Sequence, residues 1–414
     1  MTIFVSVASY RDAELVPTIQ DCLAKASQPS HLRFGVCWQH GTEQAILPVR
    51  GNPHIRILDV DWRNSGGACW ARAEIMKLYS GEEYFLQIDS HHRFVQDWDS
   101  KLIQYMSLAR SAKPILTTYC PMYTPGRPLP QSSEPTQMSF HYFTPDGIPM
   151  FRPTIMPNWR SLKGPLKARF VSGHFLFTLG SFVEEVPYDP HLYFHGEEIT
   201  VTVRAYTWGY DFFHPPEVLL WHEYSREYRP KHWEDHSESG GIVPAWHQRD
   251  RASKERVRRL LISPFVGRLA CGPVRTAAQY EAYAGISFRH RKVQDYTLRG
   301  EEPPNPIATA NWHERIRTRR GNIELEVSRL PQTAFADAQF WCVGIQDSAG
   351  VELHRIDVHR DVLDYIISSD CDSITLQYEF DSGLPPAMWT IWPFSHTTGW
   401  FDKISGSCRQ TDAY

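Results

Sequence analysis

Short apolar runs alternate with helix-period stretches through the first part of the chain. Ile3-Phe4-Val5-Ser6-Val7 is a compact apolar run suited to a strand covered on both faces. Asp12 then offers a cap to a helix whose Leu15, Ile19, Cys22, Leu23 and Ala26 share one face, with Pro17 near the first turn. Strands are predicted at Leu32–Gln39 and His54–Trp62, followed by the loop Arg63–Gly67 and a helix over Ala71–Tyr79. The strand Tyr84–Ile88 comes next, then an amphipathic segment (Trp98, Leu102, Tyr105, Met106) and the run Pro114–Thr118. This βαβαβ rhythm predicts a doubly wound α/β domain.

From Cys120 to Gly164 the periodicity gives way to a proline-dense stretch, which reads as a long functional or disordered loop. Strand-like signal returns at Ala168–Leu179 and Glu217–Trp221. Between them, Glu197–Arg204 is ambiguous: its alternation suits a strand, while Ile199, Val203 and Tyr206 fit a helical face. A charged segment after His247, interleaved with Val257, Leu260 and Leu261, predicts a solvated helix. Glu301–Pro306 reads as a linker, and beyond it short alternating runs with turn signals predict a small antiparallel β-sandwich. The expected organisation is an α/β domain over 1–300, with a helical extension at 247–300, a linker at 301–320 and a β-sandwich-like accessory domain at 321–414.

Composition narrows the class. The 414 residues suit two domains, and a formal charge of -4 gives no basic field for nucleic acid. Eight scattered cysteines without a Cys-x-x-Cys pair read as reduced core thiols. No apolar stretch approaches the about 18 residues of a membrane span. The N-terminus enters a strand directly, so a cytoplasmic protein without membrane contact is expected.

The chemistry concentrates where Tyr84–Ile88 breaks off into Asp89-Ser90-His91-His92-Arg93. Residues i and i+2 of an extended segment point the same way, so Asp89 and His91 can face one ion. Carboxylate plus imidazole suits Mn²⁺, or Mg²⁺, holding a diphosphate. A second apolar run ends in His222, a third ligand if that run is a strand of the same sheet, with Glu223 as fallback. Ser65-Gly66-Gly67 permits close backbone approach, and Arg72 in the following helix can grip a phosphate. His195-Gly196-Glu197-Glu198 places paired acids at a helix start, for dipole stabilisation or for contact with hydroxyls. Tyr193, Phe194, Trp208 and Trp221 offer faces for a sugar ring, and Ser172-Gly173-His174 can bring backbone near a donor.

These blocks in order resemble a GT-A glycosyltransferase, and more closely the cytoplasmic hydroxyproline α-N-acetylglucosaminyltransferases that act on Skp1. The residues carrying the likeness are Val5–Asp12, Leu86–Phe94, His195–Glu198, Trp221–Tyr224 and Lys231–His236, within roughly residues 1–300. A more distant likeness is to polypeptide N-acetylgalactosaminyltransferases. The resemblance implies a Rossmann-like catalytic domain using UDP-GlcNAc and Mn²⁺, with Asp89, His91 and His222 on the metal. It further implies Arg72 on the diphosphate or sugar and Glu197 on sugar hydroxyls, which leaves Glu198 as the catalytic acid that orients an acceptor hydroxyl or acts as base. Ser6, Ala8, Tyr10 and Arg11 would lie near uridine, with Ser90 and Gly173 also in the donor site. The product would be α-linked by retention, the acceptor a protein or peptide hydroxyl, and Tyr224–His236 a lid. In such a fold Ile199–Val203 would be helical, and the β tail lies outside the likeness. A metal-dependent hydrolase or phosphodiesterase using His91, His92 and His222, and a non-catalytic glycan-binding protein, are the competing classes; oligomeric state is left open.

Overall fold

The computed structural model describes residues 1–41, 49–130, 133–225, 229–237, 242–265, 267–308, 310–360, 362–364, 372–395 and 397–408. They form two compact units, Met1–Ala284 with Glu302–Asn305, and Gly285–Glu301 with Pro306–Tyr414.

The first unit is built on an eight-stranded sheet. Its strands are β1 (Ile3–Tyr10), β2 (Leu32–His40), β3 (Ile55–Asp61), β4 (Tyr84–Asp89), β6 (Pro114–Thr117), β9 (Leu166–Lys167), β10 (Phe175–Leu179) and β11 (Asp211–His214). Two ribbons stand outside it: β5 (His92–Phe94) with β12 (Leu220–His222), and β7 (Thr136–Phe143) with β8 (Pro149–Ile155). The sheet order is β3-β2-β1-β4-β10-β6-β11-β9. β3, β2, β1 and β4 run parallel, whereas β10 is antiparallel to both neighbours.

Both faces of the parallel part are covered, as the near-continuous apolar runs require. One face of β1 and β2 (Ile3, Val5, Val7, Phe34, Val36) joins a core with Leu15, Ile19 and Cys22 of helix α1 (Leu15–Lys25). On the other face lies α2 (Ala68–Met76), and Gly35 makes room for it. A Cβ there would stand 2.7 Å from Phe4 and 2.8 Å from Ile75. Helix α3 (Trp98–Leu108) leads into β6.

The expected α/β class is thus met, and the differences are local. The proline-dense stretch contains the β7–β8 hairpin rather than only loop; Pro149 and Pro153 are tolerated because the ribbon is two-stranded and pairs on one edge. Glu197–Thr207 is a helix, labelled α5 after the short α4 (Phe182–Glu185). Its threonines satisfy themselves by back-bonding, Thr200 to the Glu197 carbonyl and Thr202 to that of Glu198. His222 sits on the β5–β12 ribbon and not on the main sheet. A short helix α6 (His232–Asp235) precedes α7 (Trp246–Ile262), which buries Val257, Leu260 and Leu261 as the charge pattern predicts.

The second unit is antiparallel throughout. Strands 317–326 and 373–382 pair as one ribbon, and 340–346, 352–359, 388–395, 399–400 and 404–407 form a five-stranded sheet. Ile323, Leu325, Ile374 and Phe380 share a core with Trp341, Val343, Ile345, Trp389 and Ile391. Two sheets over one core match the expected sandwich-like architecture. The first strand begins at Arg317, inside the segment read as linker, and Glu302–Asn305 belongs with the first unit. There the Glu302 carboxylate accepts from the Lys167 amide and Asn305 bonds the carbonyls of Ala282 and Tyr283.

Candidate active site

β1 and β4 are parallel neighbours with Ala8 opposite Asp89, so their carboxyl ends open at one edge. Ligands collect beyond such ends in open α/β sheets. A cavity of about 690 Å³ lies there. Its floor carries Asp89, Ser90, His91, Arg72, Gly173, Glu197, Glu198 and His222, and Ala8 and Tyr10 line it too.

Asp89, His91 and His222 offer ligand atoms that all lie within 4.8 Å of one another. The Nε2 atoms of His91 and His222 stand 3.6 Å and 3.4 Å from Asp89 Oδ2. His222 reaches this point because β12 pairs with β5 and sets it opposite His92. His174 stacks on its ring at 4.2 Å, and Tyr224 meets it edge-on. Burial alone would raise the Asp89 carboxyl, but the His222 bond, Arg72 and His91 hold it well below the usual range. Burial pushes the His222 imidazole well down. A carboxylate beside two imidazoles is the donor set a divalent cation takes. His91 Nε2 is buried with no hydrogen-bond partner among the described residues, as a ligand atom facing an ion would be. The residues therefore fit a metal.

Arg72, buried within α2, bridges two acids. Its guanidinium donates to Asp89 Oδ1 at 2.6 Å and pairs with Glu197. The helix can begin where it does because Gly67 adopts φ +104°, and a Cβ there would stand 2.7 Å from the Tyr193 carbonyl. Glu197 and Glu198 open α5, where the helix dipole favours them, so their structural and site roles coincide. Tyr188 donates to Glu197 at 2.8 Å and accepts from Gln87 at 2.7 Å. Glu198 accepts from the Tyr119 hydroxyl at 2.6 Å and the Gly173 amide at 2.9 Å. Burial nevertheless lifts its carboxyl above the ordinary value.

Not every expected residue lines the cavity. Ser6 is buried inside the sheet and does not line the cavity. Arg11 is turned to Asp235, which it meets at 2.9 Å, and Tyr10 donates to the same carboxylate at 3.0 Å. Phe194 lines the cavity, whereas Tyr193, Trp208 and Trp221 do not. Arg93 pairs with Glu14 away from the metal ligands. Of the expected lid, residues 226–228 lie outside the described residues, while Arg229–Trp233 roof the cavity.

Asp12 has a larger part than helix capping. The N-cap is Glu14, whose amide donates to Asp12 Oδ1 at 2.9 Å. Asp12 Oδ2 meets His91 Nδ1 at 2.7 Å, Ser90 Oγ at 2.6 Å and Arg229 at 2.8 Å. His91 and Arg229 hold its carboxyl down at about 2 against the cost of burial. Its position just past the end of β1 was a sequence signal for this role, readable once β1 and β4 are known to be neighbours. Tyr119, Gln87 and Tyr188 carried no such signal.

Beyond the carboxyl ends of the parallel strands, the paired acids that open α5, the buried arginine of α2 and a metal-type triad thus converge on one cavity. The family model described as Glycosyltransferase (GlcNAc) matches residues 2–50 and 42–290. That is well over half of the chain, and the protein belongs to this family of glycosyltransferases. No curated protein matches it. Among solved structures, it is similar to GalNAc-T7 with UDP, GalNAc and Mn²⁺, at 13% identity over 70% of this chain and 51% of that chain, TM-score 0.46. It is also similar to Staphylococcus aureus TarS 1–349 with UDP, at 16% identity over 63% and 71% of the two chains, TM-score 0.36. The match spans about half the length of the GalNAc-T7 chain. No helix among the described residues is long and apolar enough to cross a membrane.

Proposed function

We propose that the chain is a metal-dependent, retaining transferase that moves N-acetylglucosamine from UDP-GlcNAc to a hydroxyl of a protein or peptide in the cytoplasm. Its nearest functional kin would be the Skp1-type hydroxyproline enzymes. Residues 1–300 would carry the reaction and 321–414 an accessory domain. The observation that carries the reading is the convergence of Asp89, His91 and His222 beside the Arg72–Glu197 pair on one cavity floor.

Asp89, His91 and His222 would hold Mn²⁺ or Mg²⁺, which when bound supplies positive charge to the diphosphate. Arg72 keeps a fixed guanidinium beside the departing phosphates, where preorganised charge counts most. Glu197, oriented by Tyr188, accepts from sugar hydroxyls. Glu198 is held by Tyr119 and the Gly173 amide and orients the incoming acceptor hydroxyl, whose proton it can receive. Arg229 to Trp233 exclude water from above.

The test is a calorimetric titration with UDP, UDP-GlcNAc, UDP-GalNAc and UDP-Glc, with and without Mn²⁺. UDP is expected to bind only with metal, UDP-GlcNAc most tightly among the sugars, and Asp89→Ala to abolish the metal dependence. Absence of UDP binding in the presence of metal would sink the reading.

A further inference from the structure

We infer that Asp12 is a positioning residue that fixes the metal-competent form of His91 and ties that ring to the segment roofing the cavity. The inference rests on the proposed metal site and goes beyond it. An imidazole binds a cation through a ring nitrogen that carries no proton, so the other nitrogen must be the N–H. His91 presents Nε2 toward Asp89 and Nδ1 toward Asp12. At 2.7 Å the Asp12 carboxylate is placed to accept from Nδ1–H, whereas a bare Nδ1 there would set two lone pairs against each other. A neutral ring that donates from Nδ1 in this way leaves Nε2 bare for the ion. A carboxylate behind a ligating histidine also raises the ligand's basicity.

Asp12 is well placed to enforce this. It is 7% exposed, and both its oxygens are engaged: Oδ1 by the Glu14 amide, and Oδ2 by Ser90, His91 and Arg229. The carboxylate cannot swing away without breaking four contacts. Arg229 adds the second half of the inference. It reaches Asp12 from the roof segment, approaches Glu223 at 3.5 Å, and also lies against His91 Nδ1. Two residues beyond the roof segment, Asp235 accepts from Tyr10 and Arg11 at the end of β1. One carboxylate thus anchors both the metal-binding ring and the roof over the donor. The competing arrangement has Arg229 donating to a bare Nδ1. That would leave a proton on Nε2, facing Asp89, and the ring could not take the ion.

The full-length chain, labelled with ¹⁵N-histidine and free of metal, is expected to show His91 with its proton on Nδ1 in long-range ¹H–¹⁵N spectra, assigned by His91→Asn. A proton on Nε2 would overturn the inference. Mn²⁺ affinity without nucleotide, read by the paramagnetic signal of free Mn²⁺, is expected to fall about 10- to 100-fold in Asp12→Asn. Asp12→Glu is expected to recover part of it. Arg229→Gln is expected to keep Mn²⁺ affinity within about twofold of the unsubstituted chain, yet to weaken UDP binding at saturating Mn²⁺. Equal Mn²⁺ affinity for Asp12→Asn and the unsubstituted chain would refute the role of Asp12. Failure of the unsubstituted chain to bind Mn²⁺ would instead refute the metal site itself.

Discussion

Arg72 joins two carboxylates that a longer or shorter side chain would leave apart. With Asp89 and Glu197 on either side of a buried guanidinium, removing the cation leaves both acids short of a partner in a poorly hydrated place. Arg72→Met is therefore expected to destabilise the fold by on the order of 3 kcal/mol. The midpoint of urea unfolding checks this; a variant as stable as the parent would mean water already satisfies the acids. His214 shows how a buried ring sets a pH dependence. Its Nδ1 donates to the Thr117 carbonyl at 2.6 Å while Nε2 accepts from the Met138 amide at 3.2 Å, so only the neutral ring fits. Burial lowers it from 6.5 to about 4. Between those values the unfolded chain binds more protons, so stability is full above the ordinary value and declines as pH falls through the window. This ring alone is expected to remove roughly 3 kcal/mol by its lower end. Urea midpoints at pH 7.5 and 5 should diverge less in His214→Gln than in the parent.

Among the elements, β2 and α5 show local preference yielding to packing in opposite ways. Gly35 has weak strand propensity, yet it lies in a buried strand because α2 needs the space above Phe4. Gly35→Val should push Phe4 and Ile75 out of place, at a cost of about 1–3 kcal/mol, read as a lowered melting temperature. Unchanged stability would show that α2 can lift without penalty. Helix α5 has the reverse conflict. Its β-branched Ile199–Val203 run prefers a strand, but burial of Ile199, Val201 and Val203 with the Gly196 turn against α7 selects the helix. The β7–β8 hairpin was hidden for a related reason, because prolines mask strand pattern in a ribbon whose free edge needs no N–H.

At the scale of the whole molecule, two separate cores imply two separable responses. Trp341 is fully buried in the core of the second unit and donates to the Ala334 carbonyl at 3.0 Å. Trp341→Ala is expected to cost that unit about 3–5 kcal/mol. Calorimetry should then show an early transition, with the transition of the first unit kept at its parent temperature. Loss of both together would mean the cores unfold as one. The tryptophans of this unit also part company. Trp389 belongs to the core, whereas Trp400 is exposed and stacks on Trp392 at 4.3 Å.

What the sequence by itself determined was the alternation of strands and helices in the first 118 residues and the chemistry carried at the end of one strand. Apolar runs too short for helices had to be covered strands, and Asp89 and His91, two apart at a strand end, had to share a direction. Even the helical charge pattern of α7 was legible, since periodicity is a local property. Tertiary structure alone decided the partners. It brought His222 to Asp89 through a ribbon outside the sheet, set Arg72 between two acids from different helices and strands, and turned Asp12 from a helix start into the support of His91. Those pairings depend on which strands lie side by side, and that order is fixed by the burial of whole faces, to which no single stretch of sequence holds the key.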